Sequence, residues 1–237
     1  RGSSNSGIAG TSYKERKIIF SFNMLSYDQK ICVYDFETRN LNTSHRIEDV
    51  NSNKAWQLGW INSSGSKIIS ENEYYIDVPN LNLSDLVKKL TNFDAEKYKN
   101  QKKSATEVWE KFKKVLYDPE YILVGQNILG FDGFLCDILA KQAGERVDYS
   151  LFYDRMYDTR AFGLAYKNNI DKPQKGSMLE WQFKILNDKS LKGKVSQTAL
   201  LKDLGITSSD ESARHSSLCD CRDTLMIFNE LKKRLKL

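Results

Sequence analysis

Short apolar runs separated by polar turns open the chain. These runs are rich in β-branched and aromatic residues, which favour strands. Three of them follow one another, at residues 31–36, 56–61 and 74–78. They predict an antiparallel three-stranded start. A fourth run at 121–124, apolar at consecutive positions, predicts a strand that is buried on both faces.

Helical spacing of apolar positions dominates the rest of the chain. Apolar side chains recur every three or four residues over 105–116, and further helices are predicted over 134–140, from Thr159, and over 197–204, where Gly205 ends the last. The C-terminal helix carries one apolar stripe that should lie against the sheet. The stripe consists of Leu218, Cys221, Leu225, Phe228, Leu231 and Leu235. Strands followed by helices predict an α/β or mixed α+β fold.

Composition and charge narrow the class of protein. The chain has 237 residues, of which 40% are hydrophobic and 28% charged, as expected for one globular domain. Residues 1–13 lack apolar periodicity and are interpreted as a tag or flexible tail. Residues 167–194 interrupt the helical pattern with several lysines and are interpreted as a basic insertion. The net charge of +5 permits a polyanionic partner without requiring one.

The chain carries no sequence signal for a membrane or for secretion. No run approaches the roughly 18 consecutive apolar residues that a membrane span needs, and the first residues lack the layout of a secretion signal. We therefore expect a cytoplasmic protein without a membrane partner. The four cysteines lie in apolar surroundings, which favours buried free thiols over disulfides or a zinc site.

A pair of carboxylates ends the first predicted strand. Asp35 and Glu37 are two residues apart, so both side chains project from the same face of a strand. Two like charges held so close raise each other's pKa unless a cation lies between them. Such a pair taken alone is usually a solvated edge. Here, however, an apolar strand precedes it, and open α/β sheets place ligand sites at strand ends.

A third carboxylate follows the strand predicted at 121–124. Asp132 lies in a segment whose glycines allow a tight turn into a helix, and Asn127 in the same segment offers both a donor and an acceptor. Phe131 and Phe134 flank Asp132 with apolar surface. Taken alone, Asp132 is explained equally well as the N-cap of the following helix.

The last helix begins with a further acid and a histidine. Ser217 and Asp220 have the spacing of a capping box, which places the helix start near Ser217 and Asp220 in the first turn. His215 lies on the preceding loop. A histidine with a pKa of about 6.5 suits a general base at neutral pH, although a lone histidine is more often structural.

These segments, taken together and in this order, resemble the exonuclease motifs of the DEDD superfamily. The spacing of His215 and Asp220 is that of its DEDDh branch, the DnaQ-like and ribonuclease T-like 3′-to-5′ exonucleases. Ser217 and Cys221 stand where the family usually has alanine, an exchange of one small residue for another. The matching segments are residues 33–38, 126–132 and 215–224. The resemblance implies an α/β, ribonuclease H-like fold with a mixed five-stranded sheet flanked by helices, in an exonuclease domain spanning 14–237.

The resemblance also implies a catalytic set and its cofactors. Two Mg²⁺ or Mn²⁺ ions are expected, because hard carboxylate ligands suit these ions better than zinc. The metal ligands would be Asp35, Glu37, Asp132 and Asp220, with Asp35 bridging both ions. His215 would take the proton from the attacking water. The implied reaction is two-metal-ion hydrolysis from the 3′ end to nucleoside 5′-monophosphates.

The expected partner is the 3′ end of a single-stranded nucleic acid. The resemblance assigns Thr38 to the terminal 3′-hydroxyl, and Asn127 and Phe131 to the last nucleotides. We place single-stranded DNA ahead of RNA as the substrate. Trimming of RNA or short oligonucleotides by the same fold, and an inactive module that only binds nucleic acid, remain alternatives. A homodimer is also open, because dimers are common in this branch.

Overall fold

A mixed five-stranded sheet forms the centre of the molecule. The computed structural model describes residues 25–40, 53–210 and 216–237, so the predicted tail at 1–13 lies outside it. The strands are β1 Lys30–Thr38, β2 Ala55–Ser64, β3 Lys67–Tyr75, β4 Tyr121–Gly125 and β5 Met156–Asp158. Their order is β3-β2-β1-β4-β5, with β1, β2 and β3 antiparallel and β1, β4 and β5 parallel. The predicted fold class is confirmed.

Helices cover both faces of this sheet. They are α1 Asp85–Leu90, α2 Ala95–Gln101, α3 Ala105–Leu116, α4 Asp132–Gln142, α5 Thr159–Lys167, α6 Met178–Asn187, α7 Gln197–Leu204 and α8 Ser217–Arg234. The periodicity predicted α3 and α7 at their observed bounds, and Gly205 ends α7 in the left-handed conformation at φ +69°. None of the described helices is long and apolar enough to cross a bilayer.

The strand β1 alternates between two hydrophobic cores. Cys32, Tyr34 and Phe36 face one side and pack with α3 and α4. Ile31 and Val33 face the other side and pack with α5, α7 and α8. The buried face of α8 therefore meets the same side of the sheet on which odd-numbered β1 residues project. All four cysteines are buried free thiols, as predicted.

The third strand differs from its prediction. The apolar pattern predicts it at 74–78, whereas β3 spans Lys67–Tyr75. β3 is an edge strand with several exposed positions, so its sequence has little of the apolar character on which the prediction relied. Ile76 continues from it only as an isolated bridge to Lys103.

The segment interpreted as a basic insertion contains a structured helix. α6 lies within 167–194 and packs beside β5 through Gln182, which is fully buried. Its Nε2 donates to the Met156 carbonyl at 3.0 Å, and its Oε1 accepts from the Asp158 amide at 2.6 Å. These bonds pair backbone groups of β5 that would otherwise be buried without partners. The segment thus contributes a helix that covers the β5 edge of the sheet.

Candidate active site

Asp35 and Glu37 lie at the end of β1, on the face that α8 covers. Phe36 between them points into the opposite core. The strand prediction for this pair is therefore confirmed: both carboxylates share one face, and both side chains are partly buried.

The N-terminal turn of α8 reaches these acids because β2 has no side chain at Gly59. A Cβ at Gly59 would lie 2.6 Å from Ser217 Oγ and 2.9 Å from the Ser217 carbonyl carbon. The Cys221 thiol donates to the Gly59 carbonyl at 3.4 Å. Small residues at 217 and 221 are thus required by a close approach of helix and strand.

This approach brings Asp220 to the pair on β1. One ligand atom from each of Asp35, Glu37 and Asp220 lies within 4.8 Å of the others. The helix begins at Ser217 as predicted, but its N-cap is Ser216, whose hydroxyl accepts from the Cys219 amide at 3.4 Å. Asp220 lies in the first turn, where the helix dipole favours a negative charge.

Asp132 approaches the end of β1 from the loop between β4 and α4. It is the first residue of α4, and the N-cap position is Phe131, which makes no side-chain cap bond. The alternative that Asp132 acts as the N-cap is therefore wrong. Its Oδ1 instead accepts from the Phe36 amide at 3.2 Å, and the side chain is 3% exposed. Asp132 is held against the backbone that separates Asp35 from Glu37.

Burial and mutual repulsion raise the pKa values of these acids. For Asp35, burial raises the pKa well above its usual value, and the charges of Asp132, Asp220 and Glu37 raise it further. For Glu37, burial again comes first, followed by Asp220 and Asp132. Burial raises the pKa of Asp132 to about 8, although the Phe36 amide opposes the shift. The cluster holds more negative charge than it can stabilise by itself.

This donor set fits divalent metal ions. The converging atoms are all carboxylate oxygens, which hard ions such as Mg²⁺ and Mn²⁺ prefer. A cation between the acids would offset both the burial and the repulsion that raise their pKa values. The group of Asp35, Glu37 and Asp220 could therefore hold a metal ion, and a metal site formed by all four predicted acids stays a prediction.

A second buried acid shapes the loop that carries Asn127. Asp158 is fully buried, and its carboxylate accepts from the amides of Asn127 at 3.0 Å, Leu129 at 3.1 Å and Arg160 at 2.9 Å. Burial raises its pKa to about 6 against the effect of these bonds. The backbone of Asn127 adopts the left-handed conformation, with φ at +64°. Its side-chain Oδ1 accepts a hydrogen bond from Arg160 Nη1 at 2.9 Å.

Of the remaining predicted residues, the structure describes Thr38 and Phe131 but not His215. Thr38 ends β1, and its hydroxyl donates to the Asn40 carbonyl at 2.7 Å. Phe131 is partly buried at the start of α4. His215 lies outside the described residues, directly before Ser216 in the sequence, so its role stays a prediction.

Two residues of the site were not predicted. Gly59 sits inside an apolar strand, and a glycine there is a usable signal for close backbone approach. Glu73 on β3 pairs with Gly59 and accepts from Ser217 Oγ at 3.5 Å. Its place beside the acids depends on the sheet register, which the sequence alone does not reveal.

The sheet order and the covering helices define a ribonuclease H-like fold. This fold is similar to that of exonuclease I in several solved structures. The complex of Escherichia coli exonuclease I with a dT13 oligonucleotide has 13% sequence identity and a TM-score of 0.65, covering 88% of this chain and 42% of that chain. The zinc-bound complex of E. coli exonuclease I with single-stranded DNA has 13% sequence identity and a TM-score of 0.64, and the match covers 88% of this chain and 41% of that chain.

A product-bound exonuclease I gives a similar result, with 14% identity, a TM-score of 0.64, and 88% and 44% coverage. The chain thus spans less than half the length of these neighbours. No protein-family profile and no curated protein sequence matches it. At such identities the likeness shows the fold, and the function has to be argued from the site.

Proposed function

We propose that this chain is a metal-dependent 3′-to-5′ exonuclease of the DEDDh type that releases nucleoside 5′-monophosphates from single-stranded nucleic acid. The observation that carries the proposal is the convergence of Asp35, Glu37 and Asp220 within 4.8 Å, beside the buried Asp132. The exonuclease I structures with dT13 and with product have the same fold, which supports this class of substrate. In this proposal the exonuclease domain spans residues 14–237.

The four acids would hold two Mg²⁺ or Mn²⁺ ions, with Asp35 as the shared ligand. When bound, such ions lower the pKa of a bound water and neutralise charge on the reacting phosphate and the leaving 3′-oxygen. An exonuclease I structure contains zinc, but a set of carboxylate donors favours the harder ions.

In the proposal, side chains and backbone groups of this chain hold the acids and the substrate in place, and one side chain accepts a proton. The Phe36 amide fixes Asp132, and Asp158 fixes the loop of Asn127. In the proposal, Thr38, Asn127 and Phe131 contact the terminal nucleotides, and His215 accepts the proton of the attacking water. Histidine side chains in general, with an unperturbed pKa of about 6.5, suit a base that works near neutral pH.

The test is digestion of 5′-labelled single strands in Mg²⁺, with chromatography of the products. Stepwise shortening from the 3′ end and nucleoside 5′-monophosphates support the proposal. EDTA should abolish the reaction, and Asp35→Asn should lower kcat about a thousandfold or more. Asp85→Asn, a fully exposed acid on α1, is the matched control and should leave the rate unchanged. Undiminished digestion by Asp35→Asn contradicts the site assignment.

The substrate and the state of assembly are separate parts of the proposal. Matched DNA, RNA and dinucleotide substrates assayed side by side decide between single-stranded DNA, which we favour, and RNA or short-oligonucleotide trimming. The outcome depends on how the site treats a 2′-hydroxyl.

An inactive binding module would retain the strand without shortening it, although all four acids that catalysis needs are present. A homodimer stays a prediction, to be tested by light scattering.

A further inference from the structure

The segment interpreted as a basic insertion contacts the sheet at the end of β5. Gln182 of α6 bonds there to the strand: its Oε1 accepts from the Asp158 amide at 2.6 Å, and its Nε2 donates to the Met156 carbonyl at 3.0 Å. All three residues are fully buried, so water is not at hand to replace these bonds. Gln182 therefore fixes the residue with which β5 ends. We call residues 167–195 the α6 segment.

The α6 segment makes a second contact at the end of β4. The Val195 carbonyl accepts from Gln126 Nε2 at 2.7 Å, and Gln126 is the residue directly after this strand. On its other side, Gln126 Oε1 accepts from the Thr159 hydroxyl at 2.6 Å. Both polar atoms of the Gln126 side chain are thus bonded, one to the α6 segment and one to the start of α5.

Asp158 extends the first contact to the turn between β4 and α4. Its Oδ1 accepts from the Asn127 amide at 3.0 Å, and its Oδ2 accepts from the Leu129 amide at 3.1 Å. The helix α4 begins at Asp132, directly after this turn. Both contacts of the α6 segment therefore end on the residues that lead into Asp132.

The turn passes its position on to Asp132, because its own bonds leave it little freedom. The Asn127 carbonyl accepts from the Phe131 amide at 2.9 Å, and the Ile128 carbonyl accepts from the Gly133 amide at 2.8 Å. A Cβ at Gly133 would lie 2.9 Å from the Ile128 carbonyl oxygen, so the turn closes as tightly as a glycine permits. A movement of this turn therefore moves Asp132 as well.

Asp132 has to be held in place, because its surroundings disfavour its charge. Burial is the main effect that raises its pKa, and the charges of Asp158 and Asp220 act in the same direction. Within the acid cluster, the bond from the Phe36 amide at 3.2 Å opposes this effect, at the long end of the usual range for such bonds. The position of Asp132 therefore also depends on what holds the turn from outside the cluster.

We propose that the α6 segment is a positioning element of the metal site, which holds the turn after β4 and thereby fixes Asp132 beside Asp35 and Glu37. The inference rests on the proposed function, because it treats Asp132 as a metal ligand. Gln126 and Gln182 are positioning residues in this inference, since they act through the turn and through Asp158. The segment that interrupts the helical pattern of the sequence thus has a role that does not depend on its lysines.

The first measurement is Mn²⁺ binding to the full chain without substrate, followed by the electron paramagnetic resonance signal of the free ion. Gln126→Ala and Gln182→Ala should each raise the Kd about tenfold, because a displaced Asp132 is a poorer ligand. Thr159→Ala removes the hydroxyl that holds Gln126 and should raise the Kd in the same direction, whereas Thr159→Ser keeps the hydroxyl and should restore it. Asp158 is left unchanged, because its charge also acts on Asp132.

The matched control is Asp188→Asn in the same segment. Asp188 is exposed, and its carboxylate accepts from the Ser190 amide at 2.9 Å. The control therefore disturbs a bond to a backbone amide away from the turn after β4. It should leave the Kd for Mn²⁺ unchanged.

The second measurement is amide hydrogen exchange of the metal-free protein. The amides of residues 127–133 should exchange about tenfold faster in Gln126→Ala and Gln182→Ala, while those of α3 keep the rates of the parent. Asp188→Asn should change neither group of amides. An equal increase in all elements would show a general loss of stability and overturn the positioning role.

The outcomes separate this inference from the proposed function. If the parent binds Mn²⁺ and the variants of Gln126 and Gln182 bind it equally well, the inference is overturned and the proposed function stands. If the parent neither binds Mn²⁺ nor shortens a strand, the proposed function fails. Hydrogen exchange then decides: unchanged rates at 127–133 overturn the inference, and faster rates support the hold on the turn. Gln126→Ala keeps the test valid if Gln182→Ala does not fold, because Gln126 is only partly buried.

Discussion

Asp35, like Glu37, is repelled by three other carboxylates of the site. Burial raises its pKa, and three further carboxylates, those of Asp132, Asp220 and Glu37, act in the same direction. A residue in this position is unfavourable for folding and useful for metal binding at the same time. Such conflicts between stability and site chemistry are expected at functional positions.

Asp35→Asn should separate these two effects. In EDTA at neutral pH, the substitution removes a carboxyl group whose ionised form is disfavoured by burial and by its neighbours, so the free energy of unfolding in urea should rise by on the order of 2 kcal/mol. In Mg²⁺ the stabilisation by the metal should shrink, because a ligand is lost. Asp85→Asn loses only an exposed ion pair with Lys88, so it should change stability by less than about 0.5 kcal/mol and leave the metal effect unchanged. A variant that is less stable than the parent in EDTA would show that Asp35 has a stabilising partner and contradict the repulsion argument.

At the scale of elements, the contact between β2 and α8 decides whether the site exists. Asp35 and Asp220 belong to different elements, and their distance is set by how closely the first turn of α8 lies on the sheet. Gly59, Ser217 and Cys221 form this contact without intervening side chains. The helix is also tied to β3 by the Arg222 guanidinium, whose Nε and Nη2 donate to the Glu71 carboxylate at 2.7 and 2.6 Å.

Gly59→Ala should therefore damage the site through the helix. The added methyl group meets Ser217 backbone as well as its side chain, so α8 must move away from β2. We expect a loss of about 1 to 3 kcal/mol in the free energy of unfolding and weaker Mg²⁺ binding by Asp220, measured by urea denaturation and metal titration. Ser64→Ala, at the far end of the same strand, should leave metal binding unchanged. Normal metal affinity in Gly59→Ala would rule out this close contact as the determinant of the site.

For the whole molecule, the buried acids make stability depend on pH. Burial raises the pKa of Asp132 to about 8 and that of Asp158 to about 6, both above the usual value of 3.8. Between these values and 3.8 the folded protein binds more protons than the unfolded chain. The stabilisation by protonation is therefore fully present below about pH 4 and is lost as the pH rises through 6 and then 8.

The metal-free protein should accordingly lose stability between about pH 4 and pH 8. Asp158 alone accounts for about 3 kcal/mol of this change, since each pKa unit corresponds to about 1.4 kcal/mol. Saturating Mg²⁺ should remove the part that comes from the acid cluster and leave the part from Asp158. Urea denaturation at several pH values, with EDTA and with Mg²⁺, measures both parts. Stability that rises over this range in EDTA would contradict the burial of these acids.

Local sequence patterns predicted most elements, and the exceptions share a cause. The helices α3 and α7 follow from periodicity and caps that lie within the segments themselves. The third strand and α6 did not follow, because their positions depend on neighbours: β3 is a polar edge strand, and α6 is fixed by Gln182 bonding to β5. Edge strands and edge-covering helices are recognised only once the sheet they border is known.

The sequence by itself determined that Asp35 and Glu37 share a face of β1, since strand side chains alternate, and that Asp220 lies in the first turn of a helix. It also supplied Asp132 at a strand-to-helix turn. Only the tertiary structure decided that Asp35, Glu37 and Asp220 converge and that Asp132 bonds to the Phe36 amide rather than capping its helix. It also decided that Glu73 lies beside them. The reason is physical: alternation and capping act within a few residues, whereas convergence depends on strand order, register and the close approach that Gly59 permits.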